Sequence, residues 1–228
     1  VARQQHRALL NTIDELKLAD RTLVIYTTDH GDMAAEKGMW LKSVMFDAAA
    51  RIPLFIRMPG VVAAGAKSSA IINHVDMFPT FATLVGAGSG LPSNLTGKNL
   101  APAVLGRGKG RDVSFSVHGV RAWNEPPQQV MARTERWKFS WYPYAKQENE
   151  RYVLYDMEKD PDELTNVASR PENAAVVREH RERIDGFLKG LKKPEYEPVT
   201  LTGKKKKHVP GGSKEDGPER FRRKRAGE

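Results

Sequence analysis

The sequence contains no cysteine. This excludes a disulfide framework, a Cys-ligated metal and a thiol nucleophile within the stretch. It also lacks any apolar run approaching the roughly 18–20 residues that a membrane-spanning helix needs, which excludes a transmembrane segment. The chain opens on Val1 inside a helical pattern, with neither an initiator Met nor the charged-then-apolar signature of a signal peptide, so we expect it to be the later part of a longer protein. Acidic residues are the scarcer sign, 28 Asp and Glu against 37 Lys and Arg. The imbalance is local: residues 189–228 hold +7 of the net +9, and the first 188 residues are close to neutral. With 39% hydrophobic residues, the body has enough apolar material for a core.

Several segments read as elements. Ala8, Leu9, Ile13, Leu16 and Leu18 fall close to helical spacing. Thr22–Thr28 and Ile52–Met58 are short apolar, β-branched runs that predict two buried parallel strands, the second closed by the Pro59-Gly60 turn. Val75–Gly86 predicts a helix with Pro79 in its first turn and Gly86 as its stop. Residues 87–112 are rich in Gly, Pro, Ser and Asn and read as a long surface connection. From Val113 the pattern becomes short and alternating (Val113–His118, Gln129–Arg133, Trp137–Tyr142, Tyr152–Asp156), predicting a small antiparallel sheet. Ser169-Arg170-Pro171-Glu172 then signals a helix start, with Val176, Val177, Ile184, Phe187 and Leu188 along one side to about Leu191. The expected organisation is a large α/β portion over 1–112, a small α+β subdomain over 113–191 and a basic disordered tail over 192–228.

Asp29-His30-Gly31-Asp32 stands at the carboxyl end of the first strand, where open α/β sheets bind their ligands. An adjacent Asp and His there can offer an oxygen and a nitrogen to one metal, although Asp-His-Gly also makes a good turn. Lys42 alone reads as a solvated lysine, and Asp47 with Arg51 as a helical ion pair worth about 0.3–0.5 kcal/mol. In order, however, the segments form a pattern. Thr27-Thr28-Asp29-His30-Gly31-Asp32 is followed by Gly38-Met39-Trp40-Leu41-Lys42, then Phe46-Asp47-Ala48-Ala49-Ala50-Arg51-Ile52-Pro53-Leu54 and Pro59-Gly60. Val75-Asp76-Met77-Phe78-Pro79-Thr80 comes next, and finally Leu154-Tyr155-Asp156 with Asp160-Pro161-Asp162-Glu163 and Asn166-Val167-Ala168. Together they closely resemble the sulfatase family over about residues 10–190.

The resemblance implies an alkaline-phosphatase-like α/β sandwich whose N-terminal half is absent here, plus a small C-terminal antiparallel sheet with a packed helix. It implies hydrolysis of sulfate esters by a formylglycine, made from the Cys or Ser of a Cys/Ser-x-Pro-x-Arg motif, beside a divalent cation, usually calcium. By position, Asp29 and His30 match metal ligands and Lys42 matches the lysine that contacts the sulfate and the nucleophile. Asp47 and Arg51 match supports of the site floor, while Asp76 and Asp156 read as structural anchors. Lys37, where many relatives have His, is either a substrate contact or a solvated loop lysine. His118, on the small sheet, is either a pocket residue or an ordinary edge-strand histidine. His30 in place of Asn gives a softer site and leaves open a transition metal and phosphonate or phosphodiester hydrolysis.

The nucleophile motif itself is missing, because the only Ser or Thr two places before a proline is Ser169, with Asn173 where the arginine would stand. The formylglycine is therefore expected upstream, and the isolated chain is expected to be inactive. Lys204–Lys207 and Arg220–Arg225 suit electrostatic retention on an acidic polysaccharide, as an anchor or in a non-catalytic remnant. No helix-turn-helix, zinc-finger or stacking pattern supports specific nucleic-acid readout. Asn94-Leu95-Thr96 matches a glycosylation sequon. The resemblance favours a periplasmic or secreted location.

Overall fold

A computed structural model describes residues 2–119, 125–147 and 150–191, with the side chains of Ala2 and Arg3 outside that description. The expected tail over 192–228 lies outside the described residues. No described helix is long and apolar enough to cross a membrane.

The first portion opens with α1 (Ala2–Glu15), β1 (Val24–Thr27), the single helical turn α2 (Asp47–Ala50) and β2 (Leu54–Arg57). Both apolar runs form strands, but they pair antiparallel, Val24 opposite Arg57 and Thr27 opposite Leu54. The expected parallel, fully buried arrangement is thus corrected. A β-branched run specifies a strand but not its partner's direction. A parallel pair needs a crossover, usually a full helix, laid across the sheet, and the 28–53 connection contains only the four-residue α2. Tyr26 and Phe55 face each other across the ribbon, about half and two thirds exposed. Helix α1 lies against it through His6, whose ring meets that of Tyr26 edge-on at 5.0 Å, and through Asp14, paired with Arg57.

Helix α3 (His74–Leu84) starts one residue earlier than the sequence suggests, so Pro79 lies in its second turn. Proline has no N–H to give the carbonyl four residues back. That carbonyl, on Val75, is instead approached so closely by the backbone of Gly97 that a Cβ there would lie 1.7 Å from it. Asp76, fully buried, supplies the acidic half of a capping box by accepting the Asn73 N–H at 2.9 Å. It also accepts the Lys98 N–H at 2.7 Å and both arms of the Arg111 guanidinium. These bonds tie α3 to the 87–112 connection, which contains a further short helix, α4 (Ala101–Val104).

The second portion is an antiparallel meander, β3 (Ser114–His118), β4 (Gln129–Arg133), β5 (Trp137–Trp141) and β6 (Tyr152–Asp156), followed by α5 (Ala174–Gly190). The predicted strands and helix form where expected, α5 being preceded by a single turn at Pro171–Asn173. Strand alternation divides the sheet into two faces. One carries Val130, Ala132, Phe139 and Leu154, which bury against Ile184 of α5 and Val167, while Phe115 stacks on Phe187 at 4.3 Å. The other carries the His118–Gln129 pair, together with Met131, Arg133, Lys138, Ser140 and Tyr155, and turns toward the 43–47 segment. Phe46 meets the Tyr155 ring there at 6.1 Å. Asp156, on the helix side, anchors the turn that follows β6 by accepting Arg136 on both oxygens.

Candidate active site

The 28–53 connection holds the sequence-predicted residues together. Asp29 follows β1 directly, and its Oδ1 accepts the Thr28 hydroxyl at 3.1 Å and the His30 N–H at 2.9 Å. Desolvation pushes the Asp29 carboxyl up, but these two hydrogen bonds and the neighbouring His30 ring outweigh it and hold it below the usual carboxylate range. With Oδ1 occupied, Oδ2 is left 3.3 Å from His30 Nε2.

His30 Nδ1 lies 2.7 Å from the Gly31 carbonyl. A carbonyl only accepts, so Nδ1 carries the proton and Nε2 presents a lone pair. That lone pair accepts a hydrogen bond from the Lys42 ammonium. Asp29, His30 and Lys42 therefore meet at one point although twelve residues separate the last two.

Gly31 makes this loop path feasible. Its N–H donates to Ala49 O at 2.9 Å, and a Cβ would sit 1.9 Å from the Ala48 carbonyl. Gly31→Ala is expected to push α2 away from the Asp29–His30 loop and to lower the melting temperature measurably, since a backbone carbonyl cannot yield as a side-chain tip can. Thermal unfolding of this variant checks that expectation.

The expected floor residues lie below. Asp47 is paired with Arg51 at 3.7 Å, and more closely with Lys138 Nζ at 2.6 Å. The Lys138 ammonium is 1% exposed and lies equally close to Glu163 Oε1, while Glu163 Oε2 accepts the Asp47 N–H at 2.7 Å. This buried triad joins the small sheet to the first turn of α2 and so to the loop packed on it. Sequence reasoning missed Lys138 and the role of Glu163. The only available signal was Glu163's place in the Asp-Pro-Asp-Glu segment.

Lys37 is placed away from the Asp29–His30–Lys42 group. Its Nζ donates to the carbonyls of Asp162 and Glu163 at 2.5 and 3.1 Å and lies over the Phe46 ring at 5.0 Å. His118 ends β3, directly opposite Gln129. Gln129 Nε2 donates to Ser43 O at 2.8 Å, one residue beyond Lys42, so register brings His118 to the same side of the sheet as the lysine loop.

For a divalent cation, the donors are a hard carboxylate oxygen and an imidazole nitrogen aimed at one another's space. Among the described residues no group of three or more His, Cys, Asp or Glu side chains gathers. Asp29 and His30 therefore fit as part of a coordination shell, which for calcium holds about six to eight ligands.

Comparison with known proteins places this arrangement in context. Residues 35–189 match the family model described as N-sulphoglucosamine sulphohydrolase, C-terminal. Arylsulfatase K of Bos taurus is 32% identical over 168 residues, covering 71% of this chain and 30% of its own length. A protein solved in complex with its substrate D-glucosamine-2-N,6-O-disulfate superposes with a TM-score of 0.69 at 29% identity, over 80% of this chain and 37% of its own. The phosphonate monoester hydrolase of Agrobacterium radiobacter superposes at 0.65 and 28% identity, over 82% and 38%. The chain thus spans about a third of the length of the proteins it matches. It shares their alkaline-phosphatase-like α/β architecture, to which the described residues contribute an antiparallel ribbon and a four-stranded sheet with its packed helix.

Proposed function

The chain belongs to the sulfatase family, and on that premise we propose that it supplies part of the active site of a metal-dependent enzyme hydrolysing sulfate esters. The observation that carries this reading is the convergence of Asp29 Oδ2, His30 Nε2 and Lys42 Nζ at the carboxyl end of β1. Asp29 would hold a divalent cation, calcium in the leading reading, and His30 would join it by exchanging its Nε2 lone pair from the Lys42 ammonium to the cation. When bound, such a cation polarises a sulfate oxygen and offsets the negative charge that gathers during hydrolysis. Lys42 orients the sulfate through its ammonium, a compact point charge with three donors. The Thr28 hydroxyl and the His30 N–H hold Asp29 in place, and Gly31 O holds the His30 ring. The chain carries no Cys/Ser-x-Pro-x-Arg motif, which favours a nucleophilic formylglycine outside it and an isolated chain without activity.

The substrate-facing roles of Lys37 and His118 differ in support. His118 lies on the face turned to Ser43, which favours a contact with the group esterified to sulfate. The Lys37 ammonium is engaged by two carbonyls, which favours a positioning role for its loop. The basic tail's retention on an acidic polysaccharide remains a proposal of charge alone.

In the protein that joins this chain to its formylglycine-bearing segment, Lys42→Ala is expected to lower kcat for a sulfate monoester by about 10²–10³-fold, the usual effect of losing one donor at a developing oxyanion. An unchanged kcat overturns the assignment. Faster turnover of a phosphonate monoester than of the matching sulfate ester would favour the second reading, which the likeness to the phosphonate monoester hydrolase supports.

A further inference from the structure

Among the described residues, six that are not glycine stand on a left-handed backbone, and four of them lead directly into Lys42. Ala34, Ala35, Lys37 and Leu41 have φ angles of 44°, 73°, 52° and 69°. An L side chain is crowded against the backbone in this region, which only glycine adopts freely. Asn or Asp can offset the crowding by bonding its own backbone, a remedy that alanine and leucine lack. Packing does not offset it either: Ala34 and Ala35 are exposed, and Leu41 is 68% exposed.

The surrounding hydrogen bonds hold these residues where they are. Met33, fully buried, donates its N–H to Leu41 O at 2.8 Å and closes the base of the loop. Within the loop Ala35 N–H donates to Met39 O at 3.0 Å, and Asp32 Oδ1 accepts the Ala34 N–H at 2.8 Å. At the tip the Lys37 ammonium is fastened to the carbonyls of Asp162 and Glu163. Glu163 is itself left-handed, at φ 55°, so strain stands on both sides of that contact. Strained backbone persists only where the fold over-determines it, and it gathers where a side chain has to be aimed. The side chain that leaves this loop is Lys42, one residue past the reversal at Leu41, and its ammonium meets His30 Nε2.

We propose that Ala34, Ala35 and Leu41 are positioning residues for Lys42. The left-handed well open to a residue with a Cβ is small, so once the loop is closed these three leave it little room to move. Glycine would follow the same path without strain and would also roam well beyond it. Stability is thus given up locally, and the lysine is confined in return. The inference rests on the reading of Lys42 as the sulfate contact and deepens it, by naming what fixes that lysine from behind.

The test is the triple variant Ala34→Gly, Ala35→Gly, Leu41→Gly in the full chain, read by its melting temperature and by the ¹⁵N shift of His30 Nε2. Relief of strain is expected to raise the melting temperature by about 2–4 °C, the usual shift for a modest stabilisation in a chain of this size. The Nε2 signal is expected to move most of the way to its position in Lys42→Ala, which has no ammonium to donate. A loop with a merely structural role would move the two readouts together, because a firmer fold would keep the contact. Gly38→Ala is the opposite change: Gly38 stands at φ 71° with open space where a Cβ would go, so alanine adds strain without a clash. It is expected to lower the melting temperature and leave the His30 signal in place. A triple variant that melts no higher, or that keeps the His30 signal of the unaltered chain, overturns the proposal. So does a His30 signal that Lys42→Ala fails to move, or one that Gly38→Ala moves toward the Lys42→Ala position. In the protein that joins this chain to its formylglycine-bearing segment, the triple variant is expected to lower kcat about 10–100-fold, the scale of misplacing a reacting group by about an ångström. An unchanged kcat in Lys42→Ala there would remove the sulfate reading, while the melting temperature and the His30 signal would still judge the loop.

Discussion

Replacing Lys138 with methionine is expected to destabilise the fold by about 3–5 kcal/mol, read as a lowered denaturation midpoint with little change in slope. The reason lies in what the ammonium leaves behind. Asp47 Oδ1 and Glu163 Oε1 each lie 2.6 Å from Nζ, and the Glu163 side chain is only 3% exposed. Methionine fills a similar volume but removes the cation between the two carboxylates, leaving Glu163 without its ion pair and Asp47 with only the exposed Arg51 at 3.7 Å. Their repulsion acts on the first turn of α2, because Glu163 also accepts the Asp47 N–H. Substituting all three by apolar residues of matched volume should recover much of the loss, since a buried ion cluster is far more costly to break than to replace. If Lys138→Met alone were neutral, the triad would not be what joins the sheet to the α2 loop.

Asp76→Ala should cost a comparable amount, again about 3–5 kcal/mol. Its carboxylate is fully buried and accepts from Arg111, Lys98 N–H and Asn73 N–H, so its removal leaves a largely buried guanidinium and two N–H donors unpaired. Burial pushes this carboxyl up, but the Arg111 hydrogen bonds and the two backbone donors outweigh that and hold it below its ordinary value of 3.8. The sign of the pH effect follows. A lowered folded-state value means that Asp76 contributes fully above the ordinary carboxylate range, and the contribution is lost as pH falls through the folded-state value. Acid unfolding of the unaltered chain should therefore lose this contribution in the acid range below 3.8, whereas Asp76→Ala should have a flatter profile there. Superimposable acid-unfolding profiles would contradict the assignment.

These two sites also show what the sequence made legible. Asp76 was readable as an anchor because a capping box is local: an acidic residue three places after an N-cap serves the start of its own helix. The small sheet was readable for a similar reason, since period-two alternation marks each strand and its faces. Asp29 and His30 were readable only in company: alone, Asp-His-Gly reads equally well as a turn, and the ordered segments after it are what mark the pair. The direction of pairing between β1 and β2 was not readable, because it depends on how the intervening loop folds rather than on either strand. Lys138 was hidden within Trp-Lys-Phe-Ser-Trp, where alternation suggests a solvent-facing lysine. Its partners lie 91 residues before it and 25 after it. No local pattern announces a contact of that range.

The two-faced sheet has a further consequence, for how such a protein can change over time. Substitutions at His118 or Gln129 leave the packing between the opposite face and α5 intact, so the face turned to the 43–47 segment can change while the scaffold persists. The same alternation makes the sheet intolerant of slippage: moving one strand by a single residue would exchange the two duties at every position, presenting Lys138 to the oily side and Phe139 to the loop. Point changes there are gentle, and length changes within a strand are ruinous. Variation among proteins built this way should accumulate as replacements along the strands, with insertions and deletions confined to the turns.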